Sequence, residues 1–147
     1  MYQNTANTPV LFAEQLKNSF KQNHSKQLEA LTINQSDLIE TLTQCDRKVA
    51  QKYSLSIIKL ANNRTRFVAN RNLIFENFSE IKKQKNFDWH TTQLLNASYQ
   101  ANDNLLEMNG LLIIQDKNKN KDTIYYEAVK LHSKWYLSNL NKKTNRL

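Results

Sequence analysis

The feature that most constrains this chain is a change of hydrophobic period near residue 85. Before it, apolar residues recur every three or four positions; beyond it, they alternate. The first spacing lines one side of a helix, and the second lines one face of a strand. Phe12, Leu16 and Phe20 form one stripe, with Ala13 beside them. Thr8-Pro9 precedes it, offering a hydroxyl for free backbone N–H groups and a proline where the missing donor costs nothing. This predicts a helix from Pro9 to about Gln22, ended by the polar stretch Asn23 to Lys26. Leu28 and Leu31 predict a short second helix over Gln27 to Leu31. Ser36-Asp37 opens a third, with Asp37 and Glu40 spaced as a capping box. The period then runs through Leu38, Leu42, Cys45, Val49, Tyr53, Ile57 and Leu60, and resumes at Phe67, Ile74, Phe78 and Ile81. No Gly or Pro interrupts residues 37 to 85, so at least two helices are expected, with a bend or break near Asn62-Asn63. Tyr53, Leu55 and Ile57 also alternate as a strand would, but the longer helical register is preferred.

After Lys85, Gln93 to Ala101 reads as a strand with Leu95, Ala97 and Tyr99 on one face. Asn102-Asp103-Asn104 is turn chemistry. Leu105 to Gln115 is a second strand, where Gly110 suggests a bulge or bend. Asp116 to Asp122 is a polar hairpin loop, Thr123 to Leu131 a third strand, His132 to Lys134 a tight turn and Trp135 to Leu140 a fourth strand. Helices that precede a meander of strands indicate one α+β domain. The expectation is N-terminal helices packed on a curved four-stranded antiparallel sheet over residues 8–140, with polar tails at 1–7 and 141–147. One sheet face must be covered, and the helices are the only available cover.

Composition excludes several kinds of chemistry. Gly and Pro occur once each, so no glycine-rich phosphate loop or dinucleotide fingerprint can be built from Gly110 alone. The lone Cys45 cannot form an intrachain disulfide or a multi-Cys zinc site, and it reads as a small buried hydrophobe. The net charge of +8 is spread: 7 basic and 5 acidic groups in residues 1–60, 6 and 3 in 61–90, and 8 and 5 in 91–147. The clusters at Arg64, Arg66 and Arg71, at Lys82, Lys83 and Lys85, and at Lys142, Lys143 and Arg146 read as solvated faces, so nucleic acid is not expected as a partner. His24, His90 and His132 lie in different elements and lack metal-ligand spacing. His24 and His132 read as exposed turn residues, and His90, beside Trp89, as the one near a pocket mouth. Glu107 and Glu127 are expected on adjacent strands as a charged outer face, and Asp88 as a turn cap. The polar-tipped rings of Tyr53, Trp89, Tyr99, Tyr126, Trp135 and Tyr136 are the most suggestive group, able to fill a core or line a cavity.

Three stretches carry a family likeness: the amphipathic helix and short helix of Pro9 to Leu42, ending in Asp37-Leu38-Ile39; Phe87-Asp88-Trp89 at the helix-to-sheet junction; and Lys134-Trp135-Tyr136-Leu137-Ser138-Asn139-Leu140. Together they resemble the NTF2-like (cone-shaped α+β) superfamily, notably its small uncharacterised bacterial domains, many of them lipoproteins. The last stretch is similar to their closing strand GKWYLSDL, with Ser133 where such domains usually have Gly. The likeness covers residues 8–140 and implies helices lying in the concavity of a curved sheet. Enzymes of that superfamily place an acid or a His–Asp pair within the cone, and no such pair aligns here.

The functional expectation is therefore a non-catalytic binding domain holding a small apolar ligand or a protein partner, with Tyr53, Trp89, His90, Tyr99 and Tyr126 as ligand-binding residues. No catalytic residue, metal ligand or cofactor is implied. The alternatives are a cone-pocket enzyme of isomerase or dehydratase type, or a basic nucleic-acid-binding module. A homodimer through the sheet is the expected self-association. No membrane span is expected, since the longest strongly apolar run is Leu111 to Ile114. As written the chain reads as soluble and cytoplasmic, or as the mature part of an exported protein lacking its leader.

Overall fold

The structure is a computed structural model, and it describes residues 3–21, 25–83, 86–102 and 105–141. The turn expected around Asn23-His24, the Asp103-Asn104 pair, Lys85 and the tail beyond Asn141 lie outside those residues. Among the described residues six helices come first: α1 (Pro9–Lys21), α2 (Lys26–Leu31), α3 (Gln35–Gln44), α4 (Arg47–Ala50), α5 (Leu55–Asn62) and α6 (Arg64–Lys82). A 3₁₀ turn, Trp89–Thr91, leads to β1 (Gln93–Ala101), β2 (Glu107–Gln115), β3 (Lys121–Leu131) and β4 (Lys134–Leu140), one antiparallel sheet in the order β1-β2-β3-β4. The molecule is α+β, as the segregated periods require. Among the described residues no helix is long and apolar enough to cross a membrane.

Local chemistry sets where the helices stop. Thr8 Oγ1 accepts from Leu11 N and opens α1. The third helix starts earlier than Ser36-Asp37: the cap is Asn34, whose Oδ1 accepts from Ser36 N at 2.8 Å and Asp37 N at 3.3 Å. The long register from Leu38 to Leu60 is cut twice, because Asp46 and Ser54 each turn a side-chain oxygen onto a new helix start at Lys48 N and Ile57 N. Those caps take up N–H groups that a continuing helix would have bonded to its own carbonyls. The break at Asn62-Asn63 stands where the polar patch put it, and Asn63 Oδ1 caps α6 through Arg66 N. Asp88 caps the 3₁₀ turn through His90 N.

The sheet register corrects the reading of Gly110. The β2 ladder passes through it without a shift, with Tyr99 on one side and Tyr126 on the other. Its φ is not positive. Glycine is needed there because the Tyr126 ring lies across the position: a Cβ would sit 2.2 Å from Cζ. The irregularities fall instead between Leu94 and Asn96 on β1 and between Glu127 and Ala128 on the β3–β4 pair. In the β3–β4 turn, the left-handed backbone falls on His132 (φ 59°), so Ser133 needs no glycine.

Neighbouring strand residues point to opposite faces, and Ala128 and Val129 belong to different cores. On the Ala128 side, Phe12, Leu16 and Phe20 of α1 and Leu28 and Leu31 of α2 pack with Leu112, Ile124, Tyr126 and Leu137; Ile74, Phe78 and Ile81 of α6 join them. On the Val129 side, Leu38 of α3, Tyr53, Ile57 and Leu60 of α5 and Phe67 of α6 pack on Val129 and Leu131. The helices thus cover parts of both faces rather than one, because the apolar register of residues 33–67 faces away from α1.

The outer edge of β4 is sealed. Trp135 N donates to Ala6 O and Asn4 Nδ2 to Trp135 O; Ile33 N donates to Leu137 O. Asn70 and Asn77, seven apart on α6, donate Nδ2 to Ser138 O at 2.9 Å and Leu140 O at 2.7 Å. Residues Asn4 and Ala6 of the expected polar tail are therefore buried against the sheet. Each bond satisfies a strand carbonyl or amide that would otherwise template another strand.

Candidate binding cleft

Where the second core ends, the Val129 side of the sheet opens into a cleft of about 950 Å3. Glu107, Asn109, Glu127 and Asn139 form its floor: Glu107 pairs with Val129, Asn109 with Glu127, and Glu127 with Asn139, so all four share that face. One wall is α5, through Ser54, Ser56, Ile57 and Leu60; another is the start of α6, through Arg66, Asn70 and Leu73. Gln100 and Asn102 close the β1 end. A second hollow of about 300 Å3, bordered by Tyr125, Gly110 and Asn141, shares Asn109, Glu127 and Asn139 with the first, so the two are one groove.

The carboxylates differ in setting. Glu107 receives Ser54 N on one oxygen and Ser54 Oγ on the other, both at 2.7 Å, which ties the start of α5 to β2. Glu127 Oε2 accepts from Asn139 Nδ2 at 2.8 Å. Gln100 and Asn109 are exposed, and among the described residues their side-chain amides make no hydrogen bond. Behind the wall, Tyr53 donates its hydroxyl to Lys130 O at 2.6 Å. Burial, with the nearby Cys45 and Glu107, pushes its pKa up to about 12.

The five residues expected to bind ligand are not gathered at this cleft, and they do not share one site of their own. Tyr53 is buried in the second core. Trp89 is in the first, between Phe20 and Phe87, and donates Nε1 to Lys82 O. His90 is exposed on the 3₁₀ turn and Tyr99 is half-exposed on β1. Tyr126 is buried against Phe12, with ring centroids 5.4 Å apart, and borders the smaller hollow; burial and Tyr99 raise its pKa to about 12. Trp135 is core and Tyr136 is partly buried. His132 is an exposed turn residue, and Cys45 is only partly buried at the end of α3. Among the described residues no group of three His, Cys, Asp or Glu side chains is placed to hold a metal ion.

Glu107 and Glu127 are diagonal neighbours on one face, and that face is a cleft floor rather than an open exterior. The amides Gln100, Asn109 and Asn139 carried no individual signal, because a polar residue alternating along a strand reads as solvent-facing whether or not a helix stands over it. Comparison of the chain with protein-family models, with curated proteins and with solved structures finds no match.

Proposed function

We propose that this protein is a non-catalytic binding domain whose ligand lies in the groove between α5, α6 and the outer face of β2–β4. One observation carries the reading: a groove of ligand-site size, lined by the Gln100 and Asn109 amides, which have no hydrogen-bond partner among the described residues, and floored by a carboxylate held in place by Asn139. Amides both donate and accept, so the matching ligand is polar and uncharged or cationic, such as a peptide backbone or a polyhydroxylated chain. The groove places two carboxylates and one guanidinium in a chain of net charge +8. That is a poor seat for phosphates. The element order, helices followed by an antiparallel meander, supports reading the domain as a divergent member of the NTF2-like superfamily.

The cone-pocket enzyme remains the second reading, on one observation. Asp122, 1% exposed, lies on the α1 side of the sheet beside Ile114, and among the described residues its Oδ2 has no hydrogen-bond partner. Backbone chemical-shift mapping against a panel of short uncharged peptides and oligosaccharides separates the two. Binding in the groove moves Gln100, Asn109, Glu127 and Asn139, and Asn109→Ala with Glu127→Ala abolishes it. Shifts centred on Asp122 and Ile124 would favour the enzyme. A panel that moves neither set overturns the groove reading.

A further inference from the structure

The two edges of the sheet are treated in opposite ways. The β4 edge is closed by Asn4, Ala6, Ile33, Asn70 and Asn77. Among the described residues nothing hydrogen-bonds to the outer edge of β1. That edge has none of the usual guards except one: its nine residues, Gln93 to Ala101, include no charge and no proline, and the single irregularity lies at Leu94–Asn96. Leu95 and Tyr99 are 45% and 50% exposed on it. In a chain with 21 basic residues, this uncharged strand is a place where two copies meet without repulsion.

We propose that β1 pairs antiparallel with β1 of a second copy, making one continuous eight-stranded sheet about a two-fold axis. A two-fold perpendicular to the sheet keeps each face on its own side, so one residue must pair with itself. The irregularity leaves Asn96 to Ala101 as the regular run; an axis at Ser98 or at Tyr99 uses it equally, and we place it at Ser98, which sets each Tyr99 opposite a small alanine instead of its own copy. Asn96 then faces the partner's Gln100, amide to amide, and Ala97 faces the partner's Tyr99. Tyr99, Ala97 and Ala101 share one face, so each tyrosine ring lies over the partner's alanine. The sealed β4 edge ends the association at two, because a dimer so formed has no open edge left. Gln100 also lines the groove, so the partner's Asn96 stands at its mouth. The pairing holds whether or not the groove binds a ligand.

A single strand edge is small against a standard interface, so the dimer dissociates in the micromolar range, on the order of 1 µM or weaker. Sedimentation velocity from low micromolar to near-millimolar protein is expected to show a monomer converting to a dimer and to nothing larger. Tyr99→Lys and Ser98→Lys put a charge on either face of the edge, and each should hold the chain monomeric at the highest concentration. Tyr99→Phe should leave the dimer intact. Amide exchange in Asn96–Ala101 should slow as the wild type is concentrated. A wild type that is monomeric throughout overturns the proposal. So does a dimer that survives both lysine variants with unchanged affinity, since it must form elsewhere; melting curves confirm that the variants are folded.

Discussion

Replacing Gly110 with alanine tests the packing that the register implies. The added Cβ would lie 2.2 Å from Tyr126 Cζ, 2.3 Å from Oη and 2.7 Å from Cε1. Comfortable carbon contacts begin near ~3.5 Å, so the ring must retreat by more than ~1 Å. Tyr126 is 3% exposed and its ring packs on Phe12, with centroids 5.4 Å apart, so its movement disturbs the first core. Overpacking of this kind costs about 1–3 kcal/mol. The gain from a stiffer unfolded chain returns roughly 0.4–1 kcal/mol, because Gly110 does not use a left-handed backbone. The net loss of about 1–2 kcal/mol corresponds to a fall in Tm of roughly 2–8 °C for a domain of this size. Thermal melts followed by circular dichroism read it directly. Tyr126→Leu removes the atoms the methyl would strike, so Gly110→Ala should cost less in that background, with a coupling of about 1 kcal/mol. Strictly additive effects, or an alanine variant as stable as the parent, would refute the account of why glycine stands there.

Asp116 takes Asp88 N, Asn118 N, Asn120 N and Asn120 Nδ2 on its two oxygens. Burial raises its pKa, but these bonds outweigh burial and hold it below 3.8. Its contribution is thus present above the ordinary carboxylate value and is lost as pH falls through the folded one. Asp116→Asn should lose about 1–3 kcal/mol at neutral pH, and that deficit should shrink in acid. At the alkaline end, Tyr53 and Tyr126 have folded pKa values near 12, above the ordinary 10.0. Stability should therefore fall between pH 10 and pH 12 as the unfolded state ionises first, and ultraviolet titration should find late tyrosines whose number drops by one in each of Tyr53→Phe and Tyr126→Phe; burial also raises Tyr136, which stays in both variants. Asn77→Ala strands the Leu140 carbonyl on the sealed edge and should cost about 1–3 kcal/mol in denaturant melts. Ser54→Ala removes both a helix cap and a clamp on Glu107, with an expected loss of about 1–2 kcal/mol.

The architecture was legible because period is a strong signal. Phe12, Leu16 and Phe20 can share a side only on a helix, and the meander showed itself as four alternating runs separated by turn residues. Helix ends between Leu38 and Leu60 were hidden, since Asp46 and Ser54 cap only once the chain has turned and nothing local demands that it turn there. Gly110 misled for a related reason: its partner, Tyr126, is brought over it by strand register, which sequence spacing does not encode. The cleft was least legible. Its floor comes from three strands and its walls from two helices, and the amides on it look like any solvated residue until the helices are in place. The aromatic residues drew attention by size, but Trp89 and Tyr126 are spent on the core with Phe20 and Phe12.

The central claim is that the Val129 face holds an open, solvated groove while the β4 edge is sealed. Side-chain amide signals in the presence of a neutral, soluble paramagnetic chelate test this without any ligand. Gln100, Asn109 and Asn139 should be strongly broadened, whereas Asn77, 8% exposed, should be spared. If Asn109 and Asn139 are protected as well as Asn77 is, the groove is closed and the binding account fails.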